Sequence, residues 1–382
     1  MDAKHRCIAV NIGGGYVPGL ASVITGIVRA AGELGWNVIG IRDGFDGLLF
    51  PERYPAGGLL HLNSAILDSS LDGLGAALGS NPRTDPFRVQ TVNSENQIEE
   101  IDHSDGLLSS IREHGVDGVI SIVGSQALSV VFRLHRKGLK TVCIPKSVEN
   151  DLAATQVCFG FNSALSFTVE MLESAKLAAR SARKIGIVEV PGEHAGWLAL
   201  QAGIAVCADA VLLPEIPYNL QSIAARLKAK IAAGDPYGLV VVAEGARSAV
   251  TEEAGPEHPL KKTLAPLASE ERGQFAINCA GLTAQRVALE LQRLTDHETY
   301  PLVLSQWVKG GPVTAVDRQL GLSYGAAAVR ALKEDRTGVM VAFEPPEINF
   351  VPLSEAVNKI RTVPVNSVFV ETARSLGIAL GE

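Results

Sequence analysis

The sequence predicts an α/β protein in which parallel sheets are flanked by helices. Short apolar runs alternate with longer amphipathic segments, which is the pattern of strands joined by crossover helices. The chain has 38 glycines and only 5% aromatic residues, which favours a parallel sheet over a β-sandwich. Its 382 residues suggest two domains, at roughly 100–200 residues per domain.

The predicted elements follow one another as strand, turn and helix. Helical patterns are predicted at about 19–34, after the first strand, and at about 126–137, after the third. We expect a long irregular excursion at 53–100, where periodicity is weak, and an exposed loop in the polar segment 251–262. The predicted strands are 7–12, 37–41, 118–123, 141–144, 184–190, 210–213 and 239–243.

Charge and cysteine content exclude several classes of function. Asp and Glu total 41 against 34 Lys and Arg, and the net charge of −7 argues against an extended nucleic-acid-binding surface. The five cysteines are widely spaced and form no CxxC pair, which is typical of reduced thiols rather than of disulfides or a zinc site. No apolar run is long enough to span a membrane. We therefore expect a cytoplasmic protein that binds neither nucleic acid nor membranes.

A glycine-rich segment at 13–19, GGGYVPG, follows the first predicted strand. Glycines at a strand-to-helix turn let backbone N–H groups approach a phosphate, and the helix N-terminus favours its negative charge. The spacing is neither GxGxxG nor a Walker loop, which requires Lys-Ser/Thr after the last glycine. The segment therefore predicts either a phosphate-binding loop or a tight turn without a ligand.

Two carboxylates, Glu149 and Asp151, follow the predicted strand at 141–144. At the carboxyl end of a strand they can project into the crevice where open α/β sheets bind ligands. One can take a proton from a substrate hydroxyl, while the other holds a cation or orients the first. The alternative is a capping and turn cluster, because Ser, Asn and Asp all favour such positions.

Taken together and in order, the glycine-containing segments resemble the phosphofructokinase family over most of the chain. The segment at 13–19 resembles its first donor-phosphate loop, and GFDGL at 44–48 resembles its second. Residues 78–87 resemble LGSSRxNPF with one residue inserted, and 145–152 resemble PKTIDNDL. Three more segments, at 189–197, 243–246 and 309–320, resemble EVMGRHAGW, AEGA and QRGGxPxxxDRxL.

The resemblance implies two Rossmann-like lobes with parallel sheets flanked by helices, facing each other across a cleft. It implies a donor-phosphate lobe at 1–160 plus 309–350 and an acceptor-binding lobe at 161–308 plus 351–382. It also implies a phosphotransferase that uses Mg2+, takes a small-molecule phosphoryl donor and a sugar-like acceptor, and forms a homodimer or homotetramer.

The site residues are those at the positions of the family motifs, and their roles are implied by the resemblance. Catalysis falls to Lys146, Glu149 and Asp151, and Asp151 is also the metal ligand. Donor-phosphate binding falls to Gly14, Gly15, Tyr16, Arg83, Gly124 and Ser125. Acceptor binding falls to Ser147, Lys184, Gly192, Glu193, Glu244, Tyr300, Gln306 and Lys309.

Two of these residues are similar to the pyrophosphate-dependent branch of the family. Lys146 stands where ATP users carry Gly, and Tyr16 stands where they carry the Asp of GGDAPG. An ammonium group at the end of a strand can bind pyrophosphate and offset the charge on the leaving phosphate.

Other positions depart from the family pattern. Ser125 replaces the carboxylate that binds Mg2+, so we expect a weakened metal site. Glu149 replaces the Asp expected as the catalytic base, which moves the carboxylate by one methylene. Glu193 replaces an Arg that faces phosphate, and Lys184 and Lys309 replace two more. Because Lys lacks the bidentate fork of Arg, we expect the 6-phosphate site to be weakened or rebuilt.

Three hypotheses follow from the matches and departures. In the first, which we adopt, the chain transfers a phosphoryl group from pyrophosphate or a nucleotide to a sugar-type hydroxyl, nominally that of fructose 6-phosphate. In the second, the acceptor has changed to an unphosphorylated sugar, a polyol or a nucleoside. In the third, the chain is a non-catalytic homologue that binds a ligand or a partner subunit.

Overall fold

The structure is a computed structural model, and it describes residues 6–55, 57–63, 78–81, 84–92, 97–249 and 281–382. The chain divides into two compact units, each built from two stretches of sequence. The first comprises Met1–Ser163 and Pro312–Arg361, and the second comprises Ala164–Gly311 and Thr362–Glu382. Residues 351–361 thus belong to the first unit, whereas the sequence assigned them to the acceptor-binding lobe. The functional roles of the two lobes stay a prediction.

The described residues form strands and helices in regular alternation over much of the chain. The strands are β1 (Cys7–Gly13), β2 (Asn37–Ile41), β3 (Leu59–Leu62), β4 (Val89–Val92), β5 (Ile98–Ile101), β6 (Gly118–Val123), β7 (Thr141–Pro145), β8 (Ile185–Val190), β9 (Ala210–Leu212), β10 (Gly238–Ala243), β11 (Thr299–Val303), β12 (Val339–Glu344) and β13 (Glu347–Pro352). The α-helices are α1 (Leu20–Gly32), α2 (Asp46–Leu49), α3 (Ser104–Glu113), α4 (Ser125–Arg136), α5 (Phe161–Ala182), α6 (Trp197–Ala205), α7 (Leu220–Ala232), α8 (Leu282–Thr295), α9 (Ala315–Lys333), α10 (Leu353–Ala356) and α11 (Val368–Ser375). Short 3-10 helices lie at Pro51–Arg53 and Ser305–Lys309.

A seven-stranded sheet forms the centre of the first unit, with the strand order β13-β12-β7-β6-β1-β2-β3. The neighbouring pairs from β12 to β2 are parallel, and β13 and β3 join the two edges antiparallel. Strands β6 and β7 are buried along their whole length, and α4 and α9 pack against both. Their continuous apolar sequences reflect this burial.

A four-stranded sheet forms the centre of the second unit, with the strand order β11-β8-β10-β9. All three strand pairs are parallel, so the carboxyl ends of the four strands meet at one edge. The core of this unit packs Ile185 and Ile187 of β8 with Val240 and Val242 of β10 and with apolar side chains of α7 and α8.

The predicted fold class, parallel sheets flanked by helices, is confirmed. Each predicted strand agrees with an observed strand to within one residue at either end, because buried parallel strands are short apolar runs in the sequence. Among the described residues, no helix combines the length and the apolar character needed to cross a membrane.

The expectation of an irregular excursion at 53–100 is wrong in part, because the described residues of this segment include strands as well as turns and irregular stretches. β3 adds an antiparallel edge to the main sheet, and β4 and β5 form an antiparallel pair of their own. The residues of β5 are all exposed, so its sequence lacks the apolar run that reveals a buried strand. The exposed loop expected at 251–262 lies outside the described residues.

Candidate active site

Three neighbouring strands bring the predicted catalytic and donor-phosphate segments of the first unit to one edge of its sheet. β1 ends at Gly13, β6 at Val123 and β7 at Pro145, and β6 lies between the other two. The loops that follow these strands contain the glycine-rich segment, Gly124 and the Lys146–Asp151 segment. Open parallel sheets bind ligands at this edge, so these loops form a candidate site.

Lys146 connects the loop after β7 to the loop after β1. Its side chain is only 3% exposed, and its ammonium group donates a 3.0 Å hydrogen bond to the carbonyl oxygen of Gly14 and another to that of Gly15. The backbone N–H of Lys146 donates to the carbonyl oxygen of Val123 over 3.0 Å. A positive charge is therefore held against the glycine-rich loop.

Gly14 adopts a backbone conformation that requires glycine. Its φ is +82°, in the left-handed region, and a Cβ there would lie 3.8 Å from Nζ of Lys146. The distance is an ordinary contact, so it is the left-handed φ that would strain the loop with any L side chain. The next two residues, Gly15 and Tyr16, are exposed, and the Tyr16 side chain is 44% accessible. The loop thus presents its backbone to a ligand at the edge of the sheet.

Ser147 forms hydrogen bonds with both acidic residues of the loop after β7. Its hydroxyl donates a 2.5 Å hydrogen bond to Oδ1 of Asp151 and accepts a 3.1 Å bond from the backbone N–H of Glu149. Ser147 is buried, whereas Glu149 and Asp151 are half-buried. The hydroxyl therefore orients the Asp151 carboxylate and fixes the backbone that carries Glu149.

Asn150 gives this loop its shape. Its φ of +56° lies in the left-handed region, which Asn tolerates better than most residues. Its side chain accepts a 2.8 Å bond from the backbone N–H of Cys158 and donates a 3.1 Å bond to the carbonyl oxygen of Gln156. The turn chemistry that the sequence suggested as an alternative is thus present in the same loop as the two carboxylates.

A cavity of about 240 Å3 opens beside the glycine-rich loop, within the first unit. Asn11 of β1 lines it, is only 1% exposed, and its amide oxygen has no hydrogen-bond partner among the described residues. An unpartnered buried oxygen is costly, so it marks a place where a ligand or water supplies a donor. The lining residues are Asn11, Gly13, Gly14, Gly44, Phe45, Asn81, Thr84, Asp85, Gln126, Ala127, Ser129, Val130 and Val131.

The residues at this edge fit a Mg2+ ion that arrives with a phosphate ligand, and they do not form a complete metal cage. No group of three or more His, Cys, Asp or Glu side chains in the described part of the chain is arranged to hold a metal ion. Mg2+ bound to phosphates commonly takes only one or two protein carboxylates, which Asp151 and Glu149 can provide. Ser125, the exposed first residue of α4, contributes no carboxylate, and Arg83 lies outside the described residues.

The carboxyl edge of the second unit carries three of the predicted acceptor residues. Gly192 and Glu193 follow β8, and Glu244 follows β10. The backbone N–H of Gly245 donates a 3.1 Å bond to the carbonyl oxygen of Gly192, and a Cβ on Gly245 would overlap the backbone of Glu193. Glycine at this position therefore permits the close approach of the two loops.

Glu244 lies among other carboxylates. Burial, together with the charges of Glu189 and Glu193, raises the pKa of Glu244 to about 7, although Lys309 and His194 act in the opposite direction. Glu189 is buried inside β8 and accepts hydrogen bonds from two backbone N–H groups at the start of α8, over 2.6 and 2.9 Å. The start of a helix stabilises that negative charge.

Two predicted acceptor residues lie at the opposite edge of the same sheet. Lys184 directly precedes β8 and forms a 2.6 Å ion pair with Glu298. Tyr300 lies near the start of β11, and its hydroxyl donates a 2.9 Å bond to the carbonyl oxygen of Ala175. Within one chain the structure therefore separates Lys184 and Tyr300 from Gly192 and Glu193 by the length of β8. Gln306 and Lys309 lie beyond the carboxyl end of β11, in Ser305–Lys309.

Sequence reasoning gave no site role to two residues that shape this region, although both lie at the start of motifs noted in the sequence. Asn11 interrupts the apolar run of β1, and Glu189 interrupts that of β8. A polar residue inside a predicted buried strand is a signal, because burying it requires a partner. The identity of that partner was not visible in the sequence.

Comparisons with known proteins place the chain in a family. The family described as Phosphofructokinase matches residues 7–332. An "ATP-dependent 6-phosphofructokinase" from Chloroflexus aggregans is 34% identical over 100% of this chain and 99% of its own length. An "ATP-dependent 6-phosphofructokinase 2" from Clostridium perfringens is 32% identical over 98% of both chains.

Solved structures of the same family share the fold. A pyrophosphate-dependent phosphofructokinase from Marinobacter aquaeolei gives a TM-score of 0.73 at 19% identity, over 99% of this chain and 92% of that chain. The phosphofructokinase of Pichia pastoris in its T-state gives 0.72 at 24% identity, over 97% of this chain but only 39% of the Pichia chain. Sequence and fold agree, and the chain is an enzyme of the phosphofructokinase family.

Proposed function

We propose that this enzyme transfers a phosphoryl group from a nucleotide to a hydroxyl of fructose 6-phosphate. Relatives at 32–34% identity that match nearly the whole chain are named as ATP-dependent 6-phosphofructokinases, which supports both substrates. The structural observation that carries the proposed phosphoryl transfer, whichever the donor, is the contact of Lys146 with Gly14 and Gly15, at the same sheet edge as Glu149 and Asp151.

The proposed roles follow from the chemistry of each group. Glu149 takes the proton from the acceptor hydroxyl as it attacks the phosphoryl group. Asp151, oriented by Ser147, is the carboxylate for Mg2+, which when bound neutralises charge on the donor phosphates. Lys146 offsets the charge that develops on the leaving phosphate, and the exposed N–H groups of the glycine-rich loop hold the phosphates in place.

The cavity beside the glycine-rich loop supports a nucleotide as the donor. Gly13 and Gly14 line it together with apolar side chains and with side-chain amides and hydroxyls, those of Asn81 and Thr84 among them. The nucleoside part of a nucleotide has N–H and O–H groups that can donate to the unpartnered oxygen of Asn11. Pyrophosphate bound at the loop has no such group to offer.

Pyrophosphate is the second candidate donor, and Lys146 favours it. A buried ammonium group at the glycine-rich loop supplies fixed positive charge to a small, highly charged donor without help from a nucleoside. The two donors are distinguished by which of them supports turnover with fructose 6-phosphate.

A neutral acceptor is the second candidate for the other substrate. Glu189, Glu193 and Glu244 place negative charge at the carboxyl edge of the second unit, with Lys309 as an opposing cation. An anionic acceptor is repelled by such charges, and Glu193 is exposed, so solvent screens part of this repulsion. If the sugar phosphate binds beside Glu193, then Glu193→Arg should lower its dissociation constant and leave that of neutral fructose unchanged.

We further propose that Lys184 and Tyr300 serve the acceptor site of a second copy of the chain. Both lie at the amino edge of the sheet, away from Glu193 and Glu244 of their own chain. A homodimer or homotetramer with shared acceptor sites would give both residues a role in binding.

Phosphorus NMR tests the proposed reaction directly. Wild-type enzyme with ATP, Mg2+ and fructose 6-phosphate should produce ADP and a second sugar-phosphate resonance. Glu149→Gln is the matched control, because it preserves size and removes the proposed base; it should slow the reaction at least 100-fold. A wild-type protein that forms no product from ATP or from pyrophosphate would refute the proposal.

A further inference from the structure

We infer that Asp46 is a positioning residue that sets the donor specificity of the enzyme, by holding Asn81 and Thr84 in the wall of the donor cavity. The inference rests on the proposed function, because it assigns the cavity to the part of the donor beyond its phosphates. Asp46 lies in the segment at 44–48 that resembles the second donor-phosphate loop, but sequence reasoning gave it no individual role.

Both carboxylate oxygens of Asp46 accept hydrogen bonds from one neighbouring segment, residues 81–84. Oδ2 accepts a 2.7 Å hydrogen bond from Nδ2 of Asn81, and Oδ1 accepts a 2.7 Å bond from Oγ1 of Thr84. Asn81 and Thr84 line the cavity, whereas Asp46 lies behind them. Hydrogen bonds to a charged acceptor are short and strong, so this carboxylate fixes the two lining side chains.

The segment that Asp46 holds is also attached through its backbone. Asn81 forms a parallel bridge with Gly13, at the end of β1, and the backbone N–H of Asp43 donates a 2.8 Å bond to the carbonyl oxygen of Leu78. These backbone contacts precede residues 82–83 in the sequence, whereas Thr84 follows them. The Asp46 side chain therefore binds residues on both sides of 82–83.

The stretch between the two bonds is where this chain is longer than the motif that it resembles. Residues 78–87 match LGSSRxNPF only with one residue inserted. The Asp46 carboxylate contacts the described residue on each side of this position, Asn81 and Thr84.

The position of the held residues explains why specificity, rather than phosphate binding, depends on Asp46. Phosphates bind at the glycine-rich loop beside Lys146, which Asp46 does not touch. Asn81 and Thr84 line the same cavity as Asn11. A nucleoside group needs those hydrogen-bonding side chains at fixed places, whereas pyrophosphate can bind through Lys146 and the glycine-rich loop without them.

Calorimetric titration of Asp46→Ala tests the inference against binding rather than turnover. The dissociation constant of a non-hydrolysable ATP analogue should rise about tenfold, since two hydrogen bonds lose their acceptor. Those of pyrophosphate and fructose 6-phosphate should stay within about twofold of wild type, because the sites proposed for these two ligands do not include Asn81 or Thr84. Asp105→Ala is the matched control: Asp105 pairs with Lys137 over 2.9 Å, does not line the cavity, and should leave all three constants unchanged.

A second variant keeps the test valid if Asp46→Ala is poorly folded. Thr84→Val removes one of the two hydrogen bonds and should raise the dissociation constant of the ATP analogue less than Asp46→Ala does. The dissociation constant of the double variant should exceed that of Asp46→Ala by no more than about twofold, because both substitutions break the same contact.

Two results would overturn the inference. Equal losses for the analogue and for pyrophosphate would show that Asp46 supports the fold in general, and an unchanged constant for the analogue would show that it positions nothing. The proposed nucleotide donor is judged separately by wild-type binding. If the wild type binds pyrophosphate but no ATP analogue, both the nucleotide donor and the role of Asp46 in donor specificity are rejected. If the wild type binds the analogue, the nucleotide donor stands, and the Asp46 and Thr84 variants alone test the role of Asp46.

Discussion

The hydroxyl of Ser147 donates a 2.5 Å hydrogen bond to Oδ1 of Asp151, across a turn whose central residue, Asn150, has a left-handed backbone. The proposed metal ligand is thus oriented by the residue that immediately follows Lys146. We expect Ser147→Ala to lower kcat about tenfold, because the Asp151 carboxylate loses the hydrogen bond that orients it. Ser147→Thr retains the hydroxyl and should retain most of the activity. Equal effects of the two substitutions, measured by steady-state kinetics over a range of Mg2+ concentrations, would contradict this role.

Lys146→Met should reduce kcat by about 100- to 1000-fold, the cost of removing one preorganised charge from a phosphoryl-transfer site. Methionine has a similar length and suits the buried position, so the fold should persist. Lys137→Met removes a lysine that pairs with Asp105 and should leave kcat unchanged. A Lys146→Met enzyme within threefold of wild type would show that the ammonium group has only a structural role.

Ser125→Asp should tighten Mg2+-dependent donor binding. The substitution restores a carboxylate at the exposed start of α4, where the helix also stabilises negative charge. Titration of the donor with and without Mg2+ measures the effect, and Ser109→Asp, at an exposed position of α3 that does not line the cavity, provides the control. An unchanged Mg2+ dependence would show that Ser125 does not lie at the metal site.

Glu244 makes the stability of the protein depend on pH. Its pKa is about 7 in the folded chain against 4.5 ordinarily, so the folded state favours the protonated form. Its stabilising contribution is complete below pH 4.5 and is lost as the pH rises through 7. Relative to Glu244→Gln, the free energy of unfolding of the wild type should therefore fall by about 2 kcal/mol over this range, after allowing for partial exposure. Urea denaturation of both proteins at pH 5 and pH 8 measures this, and a constant difference would contradict it.

Mixing two inactive variants tests whether acceptor sites are shared between copies. Lys184→Ala and Glu149→Gln each damage a different part of the site. In a mixed dimer with shared sites, one site carries both substitutions and the other carries neither. Random exchange of equal amounts should then restore about a quarter of wild-type activity. Activity that stays at the level of the separate variants, despite subunit exchange shown by mass spectrometry, would place Lys184 outside the site of a second copy.

The fold and much of the candidate site could be predicted because both depend on local patterns. Buried parallel strands such as β6 and β7 are continuous apolar runs, and the glycine-rich and acidic loops directly follow them. Parallel pairing then brings the loops after β1, β6 and β7 to one edge, which explains how Lys146 reaches the carbonyl oxygens of Gly14 and Gly15.

The remaining features depend on contacts between distant residues, which no local pattern encodes. The hydrogen bonds of Asp46 reach residues 35 and 38 positions away. The raised pKa of Glu244 depends on its burial and on carboxylates of another strand and loop. The separation of Lys184 and Tyr300 from the other acceptor residues follows from their places at the starts of β8 and β11, whereas the family motifs record only their order.

The donor preference of the wild-type enzyme tests the central proposal most directly. We would measure kcat/KM for ATP and for pyrophosphate with saturating fructose 6-phosphate at one Mg2+ concentration. A cavity that holds the nucleoside part of the donor predicts a value for ATP at least about tenfold higher than that for pyrophosphate. An equal or higher value for pyrophosphate, or no turnover with either donor, would contradict the account.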